Sequence, residues 1–212
     1  MDEFTKNYLE KYIDPVVTVI KIDNYKKKGT TIDNITTSNP ITKIIVDNIG
    51  ITHDGKLERY LSKNETLGYN FITNNIKNTS IPLKCDKKNY STISIVKSKT
   101  KRKIKKIKNK YKITLNINVK GNITEYNCTK DLNKVKNIEE LEKIAEKKIK
   151  YYVNSALDVN NNSSSEFLGL KRMIYLEDKN YNNEDYDIKV NVKVNLKRKG
   201  EISNNIKGDK YE

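Results

Sequence analysis

The C-terminal stretch Ile188–Gly200 constrains the fold most strongly, because apolar and polar residues alternate without a break from Ile188 to Lys197. The apolar positions are Ile188, Val190, Val192, Val194 and Leu196, and the intervening positions are Lys189, Asn191, Lys193, Asn195 and Lys197. Successive side chains of a strand point to opposite faces, so this pattern predicts a half-buried strand with one face toward solvent. A similar alternation predicts a strand at Tyr111–Tyr126.

Helical periodicity precedes this last strand. A long amphipathic helix is predicted at Asn137–Leu157, with Asn137 as its N-cap. Its apolar stripe consists of Ile138, Leu141, Ile144, Ala145, Ile149, Tyr152, Val153 and Ala156. A polar loop is predicted at Asn160–Ser165 and a shorter helix at Glu166–Glu177. We expect the stripe to pack on the apolar face of the last strand.

Local signals define the N-terminal half. Asp54-Gly55 between apolar segments predicts a hairpin turn, because both residues tolerate positive φ. Ser62 and Glu65 have the spacing of a capping box, which predicts a helix to about Asn75. A short helix is predicted through Phe4 and Tyr12, ending at Pro15, and Gly121 is predicted to mark a bulge or bend.

These elements predict an α+β fold, with a mostly antiparallel sheet and the long and short helices packed on one face. The polar segment Tyr25–Pro40 predicts a boundary. We therefore expect residues 1–40 to be the remnant of a preceding region or an N-terminal appendage. Residues 41–200 would form the C-terminal α+β domain, and residues 201–212 a frayed tail.

The net charge of +15 has two interpretations that the sequence leaves open. It could reflect a polyanionic partner, or the joint over-use of Lys, Asn, Ile and Tyr that AT-rich codons produce. Basic residues are concentrated, without any acid, at Lys97–Lys112. This segment is either a solvated hairpin tip or a contact surface. The candidate contact residues are Lys99, Lys101, Arg102, Lys103, Lys105, Lys106 and Lys108.

No catalytic or metal-binding motif is present, so we expect neither enzymatic activity nor a cofactor. His53 flanks the Asp54-Gly55 turn, which predicts an exposed side chain without a catalytic role. Cys85 and Cys128 lack metal-ligand spacing; they could form a disulfide, which the sequence alone does not place. We expect no transmembrane helix, because there is no long apolar run. We also expect no signal peptide or lipid-anchor cysteine in this chain.

Several segments, in collinear order from Asp14 to Gly200, resemble the C-terminal part of the Ger(x)C lipoproteins, the C subunits of spore germinant receptors. The family's hairpin and its E-T-x-G motif correspond to Asn48–Leu57 and Glu65–Gly68. Its later motifs, from the S-K-x-K-x-K strand to the terminal V-x-V-x-V strand, correspond to Lys97–Arg102, Val119–Glu125, Glu139–Leu157, Glu166–Leu170 and Val190–Gly200. Glu166 stands where the family usually has Asp.

The resemblance implies a non-enzymatic receptor subunit on the outer face of the spore inner membrane. Its implied partners are two integral-membrane subunits, A and B, and its basic surface is compatible with anionic lipid. The alternative is a basic module that binds a polyanion through residues 97–112, although we do not expect nucleic acid as the partner. We expect Gly55, Gly121, Gly169 and Gly200 to have structural roles.

Overall fold

The computed structural model describes residues 3–24, 42–86, 88–108, 110–182 and 185–198. The helices are α1 (Glu3–Leu9), α2 (Lys63–Thr73), α3 (Val135–Asn162) and α4 (Leu170–Glu177). The strands are β1 (Val16–Asn24), β2 (Thr42–His53), β3 (Lys56–Tyr60), β4 (Thr79–Lys84), β5 (Tyr90–Ile107), β6 (Lys110–Tyr126) and β7 (Tyr186–Arg198). The predicted loop Tyr25–Pro40, Gly200 and the tail 201–212 lie outside the described residues.

The strands form two sheets, and the predicted α+β class is confirmed. The first sheet has the order β1-β2-β3 and the second β4-β5-β6-β7. All neighbouring strands are antiparallel except β6 and β7, which pair in parallel over Tyr111–Ile123 and Tyr186–Arg198. The parallel pairing follows from the chain path, because α3 and α4 lie between β6 and β7 and carry the chain back to the same end of the sheet.

The core lies between one face of the second sheet and the helices α2 and α3. On β6, the inward residues Ile113, Leu115 and Ile117 are at most 1% exposed. The expected packing of α3 on β7 is confirmed, with Val194 and Leu196 buried. Toward the start of β7 the inward residues are only half-buried; these are Ile188, Val190 and Val192.

The long helix protects the free edge of β7 as well as its face. The Glu146 carboxylate accepts the Val194 backbone N–H at 3.1 Å, and Glu142 accepts that of Leu196 at 2.8 Å. These two backbone donors point away from β6, and β7 is the last strand of its sheet. An unpaired strand edge can recruit another chain, so the two carboxylates cover part of an edge that is otherwise open to pairing.

The predicted bounds of the two C-terminal helices need correction. Helix α3 begins at Val135 after Lys134, not after Asn137, whose side chain donates to the Asp131 carbonyl. Its last turn extends through Asn162, into the segment predicted as a loop. Helix α4 begins at Leu170 rather than Glu166.

The turn and cap predictions agree with the structure. Ser62 and Glu65 form both bonds of the capping box at the start of α2. Asp54 and Gly55 have φ values of 48° and 72°, which fit a tight hairpin. The register of β5 shifts between Ile95 and Lys97, opposite Gly121, so a bulge lies where it was predicted but on the neighbouring strand. The N-terminal helix ends at Leu9, earlier than predicted.

Three carboxylates fix the loop between α3 and α4. Glu166 is 8% exposed and accepts bonds from the Asn160 amide and the Leu170 backbone N–H. Glu58 of β3 accepts the backbone N–H groups of two successive serines, Ser164 and Ser165, and Asp14 accepts that of Glu166. Asp14 and Glu58 belong to the region of the first sheet, so these bonds join that sheet to the helical layer.

Cys85 and Cys128 form a disulfide, which settles the pairing that the sequence left open. Their Cα atoms are 6.1 Å apart, and 43 positions separate them along the chain. The bond joins the turn after β4 to the segment after β6. By linking distant parts of the chain it restricts the unfolded state and thereby stabilises the fold.

A candidate basic interface on the open face of the sheet

The second sheet has one face packed on the helices and one open face that is rich in lysine and asparagine. On this open face the register places side chains from β5, β6 and β7 in rows. The rows are Lys97–Lys120–Asn195, Lys99–Asn118–Lys193, Lys101–Asn116–Asn191, Lys103–Thr114–Lys189 and Lys105–Lys112–Asp187. We call these five rows the basic face. It carries nine lysines, five from β5, two from β6 and two from β7, and all of them are exposed.

Few acidic side chains lie near these lysines. Within the five rows Asp187 is the single acid; it lies at the hairpin end and pairs with Lys110 at 2.9 Å. Two pairs of lysines face each other directly across neighbouring strands, Lys97 with Lys120 and Lys105 with Lys112. Like charges in directly opposite positions destabilise a sheet. A ligand that carries negative charge would relieve this repulsion.

Strand spacing determines what the basic face can bind. Neighbouring strands lie about 4.8 Å apart and side chains on one face repeat about every 6.7 Å, so the lysines form a broad lattice rather than a deep cleft. Asparagine side chains between them can both donate and accept; the Asn191 amide donates to the Asn116 side-chain oxygen at 2.9 Å. The five rows contain no aromatic side chain on which a base could stack. The arrangement therefore suits a surface of phosphate groups.

Two of the predicted contact residues lie on the opposite face of β5. Arg102 donates to the backbone carbonyls of Ile72, at 2.9 Å, and Leu168. Burial lowers the pKa of its guanidinium group. Lys106 donates to the Tyr111 hydroxyl and the Asp178 carboxylate, both at 2.9 Å, and these bonds raise its pKa. Arg102 thus joins β5 to the helical layer. Lys106, whose side chain is 49% exposed, bonds to the residue that follows α4, and neither side chain lies on the basic face.

The other predicted contact residues are exposed. Lys99, Lys101, Lys103 and Lys105 lie on the basic face, and Lys108 lies in the turn between β5 and β6 with a φ of 54°. The remaining lysines of the face were not among the predicted contact residues; they are Lys97, Lys112, Lys120, Lys189 and Lys193. The sequence shows the alternation that places lysines on one face of β6 and one face of β7. Their proximity to the β5 lysines depends on the strand pairing, which the sequence does not show.

His53 lies beside a carboxylate, but the described residues around it do not form a metal-binding group. The His53 ring nitrogen Nδ1 lies 3.4 Å from the Asp14 carboxylate, and the side chain is 41% exposed. Groups of three or more side chains able to hold a metal ion are absent from the described parts of the chain. Gly169 has a φ of 62°, and a Cβ there would lie 2.9 Å from the Ile13 side chain. Its role at the start of α4 is therefore conformational.

None of the helices in the described part of the chain has the length and apolar character needed to cross a bilayer. Together, the fold and its surface define a class of protein: an α+β domain with an exposed, basic sheet face.

Residues 47–200 match the family model described as spore germination B3/GerAC-like, C-terminal. The chain belongs to this family, and the resemblance to the C-terminal portion of the germinant-receptor C subunits is confirmed. The crystal structure of the GerBC protein superposes on the chain with a TM-score of 0.62 and 25% sequence identity, covering 73% of this chain and 52% of that one. The aligned part thus spans about half the length of GerBC. No curated protein matches the chain.

Proposed function

We propose that this protein is a non-enzymatic subunit of a nutrient germinant receptor and acts by protein–protein assembly at a membrane surface during spore germination. The observation that carries this proposal is the family membership. The family model matches residues 47–200, which include most of the helices and most of the strands. The division into an N-terminal appendage and the C-terminal domain is part of the proposal.

The proposed partners are the two integral-membrane subunits A and B of such a receptor, and the proposed location is the outer face of the spore inner membrane. The Cys85–Cys128 disulfide supports a location outside the cytoplasm. Disulfides persist in oxidising environments and are rare where cellular thiols keep cysteines reduced.

In this proposal the basic face lies against anionic lipid headgroups. A lysine near an anionic membrane contributes on the order of 1 kcal/mol to binding, and several lysines on one face act together. The β5 lysines alone lie on one strand, whereas the addition of those from β6 and β7 makes a two-dimensional array. Such an array matches the planar geometry of a bilayer.

Co-sedimentation with vesicles that contain one third anionic phospholipid tests this orientation. One variant replaces five lysines of the basic face with Gln, at Lys99, Lys101, Lys103, Lys189 and Lys193. The control replaces five exposed lysines elsewhere, at Lys77, Lys134, Lys136, Lys143 and Lys150. Both variants lose the same charge, so a general attraction weakens equally in the two.

We expect vesicle binding of the basic-face variant to fall at least about tenfold below that of the control. Equal weakening in the two variants would contradict the proposed orientation.

A second candidate function is polyanion binding through residues 97–112, which the lysines of β5 favour. Tight binding of duplex DNA that falls steeply with salt, without vesicle binding, would support this second candidate instead.

A further inference from the structure

A groove of about 510 Å³ lies between strand β4 and helix α3, outside the basic face. Its floor includes Ile144 of α3, which is half-buried. Two tyrosines line it and are about half exposed, Tyr90 at 48% and Tyr151 at 52%. Tyrosines that present an apolar body and a polar tip are typical anchors of binding surfaces.

Lysines line the same groove. Lys84 comes from β4, and Lys147 and Lys148 come from α3. The Lys148 ammonium group lies 5.4 Å from the centre of the Tyr151 ring, so charge and aromatic surface are adjacent. A neighbouring hollow shares Lys147 and Tyr151 and continues along α3 past Lys150, where Asp158 is the single acid in its lining. The charge of this surface therefore favours an acidic occupant.

The strand on one side of the groove limits how an occupant can be held. Strand β4 is an edge strand of the second sheet, opposite β7, and an edge strand would normally let an added strand pair with it. Pro82 lies in the middle of β4 and lines the groove. Because proline has no backbone N–H, continuous strand addition along β4 is interrupted there. Recognition in this groove would therefore depend on side chains.

The disulfide holds one wall of the groove in place. Cys85 follows directly after Lys84, and the Asn127 backbone N–H donates to the Tyr90 carbonyl at 3.1 Å. The turn between Cys85 and Tyr90 is also held by Asp86, which accepts the backbone N–H groups of Lys88 and Asn89 at 2.9 Å. A groove whose walls are fixed before binding loses less conformational entropy when it is occupied.

From these observations we propose that the groove between β4 and α3 is a docking site for an acidic protein segment that carries an apolar or aromatic anchor. The acidic side chains pair with Lys84, Lys147 and Lys148, and the anchor packs between Tyr90 and Tyr151. This inference stands apart from the proposed membrane contact, because it uses a different surface and a different ligand.

Selection from a displayed library of random 12-residue peptides on the full chain tests this inference. We expect enrichment of peptides that combine several acidic residues with at least one large apolar residue. Selected peptides should bind the Tyr151→Ala and the Lys147→Gln plus Lys148→Gln variants at least about tenfold more weakly than the parent. The Lys99→Gln plus Lys101→Gln variant of the basic face, with the same loss of charge as the double groove variant, should bind them normally.

Selected peptides whose binding depends on the basic face, or an enrichment of acidic peptides without an apolar anchor, would overturn the inference. So would a library that yields no acidic peptides. NMR of the parent gives a second readout that needs no substitution. The ring signals of Tyr90 and Tyr151 should shift when a selected peptide is added, and unchanged ring signals with saturating peptide would also overturn the proposed site.

Discussion

Gly68 of α2 lies so close to the main-chain carbonyl of Tyr152 in α3 that a β-carbon at position 68 would overlap it. The same β-carbon would lie 2.9 Å from the Ala156 side chain. Both neighbours belong to the rigid middle of a long helix and have no flexible end that could move aside. The closeness of α2 and α3 therefore depends on the absence of a side chain at this position.

We predict that Gly68→Ala lowers the free energy of unfolding by about 3 kcal/mol or more, because the two helices must separate. Gly50→Ala is the matched control. A β-carbon there would meet side-chain ends rather than backbone, Leu57 at 2.8 Å and Val17 at 3.0 Å, and the Leu57 side chain is 48% exposed. Urea denaturation of both variants provides the comparison; an equal or larger loss at Gly50 would show that α2 and α3 can separate readily.

A second prediction concerns the depth of β7 in the core. The alternation predicts that Val190, Val192, Val194 and Leu196 pack against the long helix, but Val192 is half-buried whereas Val194 is 3% exposed. Val194→Asp should cost several kcal/mol, since it buries an unpaired charge beside Glu146. Val192→Asp should cost clearly less. Thermal melting distinguishes the two, and a Val192 variant at least as unstable as the Val194 variant would be inconsistent with the described burial.

The carboxylates on the β7 edge give a third prediction. Glu142→Ala plus Glu146→Ala leaves the Val194 and Leu196 backbone donors open, so we expect concentration-dependent self-association through this edge. Glu139→Ala, an exposed position on the first turns of the same helix, is the control. Light scattering over a range of concentrations should show growth for the double variant alone. A monomeric double variant would mean that the edge needs no such cover.

The pH dependence of stability gives a fourth prediction. Hydrogen bonds from Tyr111 and Lys106 lower the pKa of Asp178 from 3.8 to about 2. A depressed carboxyl pKa contributes stability that is present above the unfolded value and is lost as the pH falls from about 4 toward 2. Asp178→Asn should therefore be less stable at pH 7 and should lose less stability across that range.

Asp158→Asn, which removes an exposed carboxylate of α3, is the control for this experiment. Glu166 acts in the opposite direction. Burial raises the pKa of Glu166, and this effect exceeds the lowering by the hydrogen bonds from Asn160 and Leu170. Ionised Glu166 therefore destabilises the folded state, and this loss of stability grows as the pH rises from 4.5 toward the raised pKa. Chemical denaturation at pH values between 2 and 7 measures both effects. An unchanged acid slope in Asp178→Asn would contradict the assignment.

Local chemistry in the sequence was sufficient to predict much of the fold. The Ser62 capping box, the Asp54-Gly55 turn and the alternation along β6 depend on neighbouring residues, and the structure contains each of them. The end of α3 could not be predicted in this way. Asparagine is common in loops, but Asn160 lies buried within the helix. Its burial is possible because its side-chain amide donates a hydrogen bond to the Glu166 carboxylate.

The basic interface shows where local patterns become insufficient. A run of basic residues on one strand cannot share one face, because successive side chains alternate. This rule alone would have separated Arg102 from Lys101 and Lys103. Which set faces inward depends on the bulge after Ile95, and the contribution of Lys189 and Lys193 depends on the parallel pairing of β6 with β7. Both are long-range features.

Co-purification from spore membranes tests the central claim most directly. A tagged, lipid-anchored, full-length version of the protein is expected to co-purify with the integral-membrane A and B subunits, and its deletion to abolish the nutrient response. His53→Ala should leave both intact, whereas Gly169→Val should reduce co-purification. Absence of the A and B subunits from the purified material, together with a normal nutrient response in the deletion strain, would contradict the account.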